Sequence, residues 1–168
     1  YLLVAYPAAW AGAAKALADA GLLTDDLGVG TLFLGEEMLP GLGKLAANSY
    51  TTLPFVTVGP GESFTKYVEA FRAKHGADVI PGSGESIGSY AGLHLYAQAV
   101  KAAGSTDPKK VAKAMVGQSF DGPSGTVTIT DSHHLKQPVH LVQATADGKY
   151  KHVRGFPEVD PQQKTCPS

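Results

Sequence analysis

The hydrophobic period changes partway along the chain, and this limits the fold more than any other feature. Through the first half, apolar runs of strand length alternate with segments of helical period; in the last third the period drops to two. Residues 1–6 form a continuous apolar run ended by Pro7, which suits a parallel strand covered on both faces. Residues 8–21 repeat Trp10, Ala14 and Leu17 at helical spacing, with Gly21 where a helix commonly stops. Residues 29–34 and 50–58 read as the second and third strands, the latter closed by Gly59-Pro60-Gly61. Between them, residues 36–48 have helical character, but Pro40, Gly41 and Gly43 make a poor helix. Residues 62–75 follow as a helix with Phe64, Tyr67, Val68 and Phe71 on one face. A long helix over residues 85–103 carries Ile87, Tyr90, Leu93, Leu95 and Val100. Thr106 or Asp107 caps the next helix, with Pro108 in its first turn. Residues 125–130 then alternate as a strand, and residues 139–144 and 150–153 are joined by Asp147-Gly148, a hairpin signal. From Gly155 on, the chain reads as an extended tail. The expectation is an α/β fold with an antiparallel addition and no linker dividing it.

Charge excludes some functions. With 14 basic and 15 acidic side chains the net charge is −1, and non-specific binding to nucleic acid or an anionic membrane needs a basic excess. Cys166 is the single cysteine, so neither an intrachain disulfide nor a cysteine-built zinc site can form. The uncharged opening, residues 1–14, is broken by Pro7 and is shorter than the ~20 residues a membrane-spanning helix requires. It also lacks the basic leading segment of a secretory signal. The chain opens on Tyr1, not Met, so the expectation is that an upstream piece was removed or that this is part of a longer polypeptide.

Three constellations bear on chemistry. Gly84-Glu85-Ser86-Ile87-Gly88 matches the G-x-S-x-G nucleophile elbow, with Asp131, His133 and His134 downstream as partners for Ser86. The run before it, residues 78–81, is short and holds a proline, a poor central strand, so a capped helix start explains the same residues. His133, His134, His140 and His152 suggest a metal, but adjacent histidines on one strand point to opposite faces. A polar turn before a strand accounts for His133 and His134, and no metal site is expected. Gly59-Pro60-Gly61-Glu62-Ser63 borders a helix start as phosphate loops do but lacks their Gly-Lys-Ser/Thr ending.

Several segments, in order, resemble the type I periplasmic-binding-protein family, in its branch of branched-chain amino acid, amide and urea receptors of ABC importers. The helix pair at residues 64–76 (FTKYVEAFRAKHG) and 89–105 (SYAGLHLYAQAVKAAGS) carries much of the likeness. The block at 120–129 (FDGPSGTVTI), His133-His134-Leu135 and the hairpin around 146–150 (ADGKY) complete the series. The resemblance implies a two-lobed clamp of doubly wound sheets, with ligand bound between lobes that close on hinge strands. This chain would be a partial copy of that fold, ending in an antiparallel hairpin. It further implies that residues 1–77 belong to the second lobe, 78–130 return to the first, 131–154 close the second, and 155–168 trail as a tail. The missing N-terminal portion of the same receptor would be a partner, as would an ABC permease.

Site residues carry over as expectations. Tyr6 and Pro7 follow the first strand, Thr31 and Phe33 follow the second, and Glu85, Ser86 and Tyr90 begin the long helix. Glu85 would take an ammonium or amide N–H, while Tyr6 or Tyr90 packs the apolar part of a small amino-acid-like, amide or urea-type ligand. Relatives often have an aromatic and an acid where this chain has Glu85 and Ile87. No catalytic residue, cofactor or nucleic-acid partner is implied, and the location would be periplasmic or otherwise extracytoplasmic. Two alternatives stay open: a cytoplasmic amide or amino-acid sensor of the same fold that regulates expression, and a serine hydrolase using Ser86.

Overall fold

The computed structural model describes residues 7–161 apart from 25, 33 and 83, with only the backbone of residues 7 and 8. The first strand expected, residues 1–6, and Cys166 lie outside the described residues. Helix α1, Pro7–Asp19, buries Trp10 and Ala14 one turn apart on one face. It ends as the sequence suggests: Gly21 takes φ +68, its N–H reaches Ala18 O at 2.9 Å, and Leu22 N–H reaches Leu17 O at 2.8 Å. That pair of bonds satisfies carbonyls the helix end would otherwise leave open.

Strand β1, Val29–Gly30, lies parallel to β2, Ser49–Leu53. Both are shorter than the apolar runs suggested. Residues 36–48 form no continuous helix: 3-10 turns at Glu36–Met38 and Gly43–Ala46 flank the four-residue α2, Leu39–Leu42. Gly43 stands at φ +51, outside helical space, and interrupts the spiral. Helix α3, Glu62–His75, and helix α4, Gly84–Ala103, follow. Helix α5, Pro108–Met115, is capped by Asp107, whose Oδ1 accepts from Lys110 N–H at 3.0 Å.

The remaining strands are antiparallel. β3, Ser119–Gly122, was not anticipated as a strand; it pairs with β4, Gly125–Ile129, through a tight turn at Pro123 and Ser124. β5, Leu135–Ala144, pairs with three strands: β4 at Leu135 and Lys136, β2 from His140 to Gln143, and β6 along most of its length. His133 sits at φ 59 in the turn before β5, the polar turn expected there. The β5–β6 hairpin turns at Gly148, φ +75, where a Cβ would also stand 3.2 Å from Leu39 O. β6 runs Tyr150–Val159, so the tail expected from Gly155 begins later than the sequence suggested. Paired on a long β5, it tolerates Pro157, and a register shift between Gln137 and Val139 accommodates Pro138.

Among the described residues, buried side chains gather in three clusters. Trp10, Val29, Leu34, Leu39, Leu53, Val142 and Tyr150 pack beneath β1, β2, β5 and β6. Leu95, Val127 and Ile129 pack between α4 and β4. Phe55, Phe64, Val68 and Ile87 lie in a cluster of their own, with Phe55 and Phe64 stacked at 5.3 Å.

Candidate ligand site

Two pockets lie along β2, one after the other. The first, about 280 Å³, is lined by Gly30, Thr31, Leu32, Tyr50, Thr51, Thr52 and Leu141. Thr31 is buried there by main-chain geometry: its N–H donates to Tyr50 O at 2.8 Å and its hydroxyl to the same oxygen at 3.4 Å. The Thr51 hydroxyl is buried without a partner among the described residues, which leaves a hydrogen-bonding group unmatched in this wall. The second pocket, about 220 Å³, is lined by Leu53, Pro54, Gly84, Glu85 and Gln137. Its shape depends on Gly84, where a Cβ would stand 2.6 Å from Pro54 Cδ. A glycine therefore lets the N-terminus of α4 close on the end of β2.

Thr31 lines the pocket beside Tyr50, Thr51 and Thr52, and Glu85 the pocket beside Leu53 and Pro54, so each meets a different stretch of β2 or its end. Glu85 occupies the first turn of α4, where a carboxylate is favoured by the helix dipole. Ser86 is exposed beside Gly82, close enough that a Cβ there would meet its Oγ at 2.5 Å. Tyr90 lines neither pocket; its ring packs against His94 at 4.7 Å and Phe120 at 5.8 Å, tying α4 to β3. Pro7 opens α1, while Tyr6 and Phe33 lie outside the described residues.

Sequence reading missed a buried carboxylate after β1. Glu36 is buried and accepts from Thr57 N–H at 2.9 Å and from the Thr57 hydroxyl, so the turn after β1 is tied to the turn after β2. Nearby, the Tyr150 hydroxyl donates to Leu34 O, and burial pushes this phenol far above its ordinary pKa, with Glu36 and Glu37 adding to the effect. The available signal was Glu36-Glu37 directly after an apolar strand, read there only as a helix start.

A third, larger cleft of about 460 Å³ lies between the start of α3 and strands β4 to β6, with Ser63, Thr126, Lys136, His140 and Glu158 among its walls. Lys136 and Glu158 pair across it at 2.9 Å. Among the described residues no three His, Cys, Asp or Glu side chains gather as a metal site. No described helix is long and apolar enough to cross a membrane. The elbow around Ser86 lacks its required context: residues 78–82 form no strand, and Ser86 lies inside α4.

Comparison with known proteins follows the same lines. A family model described as periplasmic binding protein matches residues 1–149. A protein named limonene hydroxylase from Geobacillus stearothermophilus is 31% identical over 107 residues, 64% of this chain and 20% of that protein. A solute binding protein of an ABC transporter from Rhodopseudomonas palustris BisB5, solved with 3,4-dihydroxybenzoic acid, superposes with a TM-score of 0.75 at 21% identity, over 96% of this chain and 46% of that one. A leucine binding protein from Thermotoga maritima MSB8 superposes with a TM-score of 0.76 at 17% identity, over 93% of this chain and 44% of that one. The chain thus spans less than half the length of these solved structures and a fifth of the curated relative. With its mixed sheet and its helix series in the family's order, the chain belongs to the type I periplasmic binding proteins, of the branched-chain amino acid receptor kind, and carries a partial copy of their fold.

Proposed function

We propose that this chain is the carboxy-terminal portion of a non-enzymatic solute-binding protein that serves an ABC importer outside the cytoplasm. The family match over residues 1–149 carries this reading. The bound solute is small and amino-acid-like, an amide or a urea, held in a cleft between two lobes. Thr31, Glu85 and Ser86 form this chain's share of the cleft. Glu85 accepts from the ligand's N–H groups. Residues 1–77 and 131–154 form one lobe and 78–130 contribute to the other. The separate burial of the clusters around Trp10 and around Leu95 supports this division. The lobes close on the solute, and the permease receives the closed form.

A missing N-terminal portion completes the first lobe. The outer face of α4 supports this: Tyr90, Leu93 and Tyr96 are 44, 71 and 49% exposed on a helix whose opposite stripe is fully packed. Such an apolar face is unusual on a finished surface.

Calorimetry of the complete receptor against leucine, a short amide, urea and 3,4-dihydroxybenzoate tests the ligand class. Saturable binding of one of the first three is expected. Binding of the benzoate alone would overturn the amino-acid and amide reading, and indifference to all four would overturn the binding role.

A further inference from the structure

His140 and His152 lie on paired strands, their residues placed diagonally by the register His140↔Gly155 and Val142↔His152. His140 is 5% exposed, at the last residue through which β5 pairs with β2, and His152 is half-buried. The two rings meet nitrogen to nitrogen in a hydrogen bond, His140 Nδ1 to His152 Nε2 at 3.1 Å, and an ion bound by both would require the shared proton to move to the other nitrogen of its ring. Two imidazole nitrogens on one ion, at metal–nitrogen distances of about 2.0–2.1 Å, are about 2.9 Å apart at a right angle and about 3.3 Å apart at a tetrahedral angle. The observed spacing falls between these limits.

A second observation concerns the residue opposite. A Cβ on Gly155 would stand 3.4 Å from His140 Nδ1 and 3.7 Å from His152 Nε2. Gly155 is not among the glycines at positive φ, so the backbone there does not call for a glycine. What the missing side chain leaves is room in front of both nitrogens at once.

We propose that His140 and His152 form a two-histidine chelate for a divalent transition-metal ion of the nickel, copper or zinc type, with water completing the shell through the space beside Gly155. Imidazole suits these ions, and both rings must be neutral to offer lone pairs. Lys136 lines the same cleft as His140 but is paired to Glu158, which offsets its charge. A bound ion would pin β6 to β5 where β5 leaves β2 to run toward β4.

Cu²⁺ is the probe, added to the full chain at pH 7.5 and followed by its visible absorbance and by nitrogen hyperfine splitting in electron paramagnetic resonance. One equivalent with two coordinating nitrogens is expected. The signal should be lost in His152→Gln and kept in the double variant His133→Gln/His134→Gln, which removes the other adjacent pair. Gly155→Ala supplies an independent arm, because its methyl fits the metal-free chain at van der Waals distance yet fills the space in front of both nitrogens. Loss of the two-nitrogen signal in Gly155→Ala, with the circular dichroism of the folded chain retained, supports the chelate. A signal that survives His152→Gln, or one that vanishes in His133→Gln/His134→Gln, overturns it, as does the absence of any two-nitrogen species.

Discussion

Single buried groups hold the region around the candidate site. Glu36 exchanges water for two donors on Thr57, and Tyr150 spends its hydroxyl on Leu34 O, so both buried polar side chains keep a partner. His140 is different, since among the described residues its Nε2 is buried without a partner and only Nδ1 is engaged. Protonating this ring would add a charge and a second donor where nothing receives them. Its folded pKa therefore lies below the unfolded value of about 6.5. The sign follows directly: the stability this group provides is complete above pH ~6.5 and drains away as pH falls toward the folded pKa, because the unfolded chain binds the proton more readily. Urea denaturation at pH 7.5 and pH 5 should show lower stability at pH 5, with a smaller drop in His140→Phe. An equal drop in the two proteins would show that other groups carry the effect.

Elements meet here through small residues. The start of α4 reaches the end of β2 only because Gly84 leaves room for the Pro54 ring, which is rigid and cannot swing aside. Replacing Gly84 by Ala favours the helix by propensity, worth about 1 kcal/mol in an open helix. A methyl 2.6 Å from Pro54 Cδ sets against this an overpacking cost of roughly 1–3 kcal/mol. The collision wins because a ring carbon and a helix backbone must both shift to relieve it. Gly84→Ala should therefore lower the urea midpoint, and Gly88→Ala, with nothing within 4 Å of its Cβ, should not. A raised midpoint in Gly84→Ala would show that the contact between α4 and β2 is looser than described.

At the scale of the whole molecule, β5 is the shared element. One strand of ten residues joins the sheet beneath Trp10 and Val142 to the hairpin beneath Leu95 and Ile129. The outward face of α4 is the counterpart of that arrangement, a row of aromatic and aliphatic side chains with no cover among the described residues. Apolar faces of this kind drive association in water. The chain on its own is expected to self-associate with rising concentration in sedimentation velocity, and Leu93→Lys/Tyr96→Lys should shift it toward monomer. A wild-type chain that stays monomeric at every concentration would remove the ground for a missing neighbour on this face.

Local chemistry made much of this legible. The α3, α4 and α5 helices, the cap at Asp107, the stop at Gly21 and the turn at Asp147-Gly148 each follow from residues within a few positions of one another, where periodicity and capping act. The same local signals misjudged residues 155–159, whose Pro-bearing run became strand only because β5 extends far enough to pair with it. Of the candidate site, Thr31 and Glu85 were expected only through the family resemblance. What the tertiary structure decided was their company: Gln137 and Pro54 beside Glu85, Thr57 on Glu36, and Tyr150 on Leu34 across 116 residues. Sequence by itself determined which segments could become helix, strand or turn, because those choices are settled within a turn or two of backbone. Which side chains meet was left to packing, since contacts between distant segments exist only after the sheet has chosen its partners.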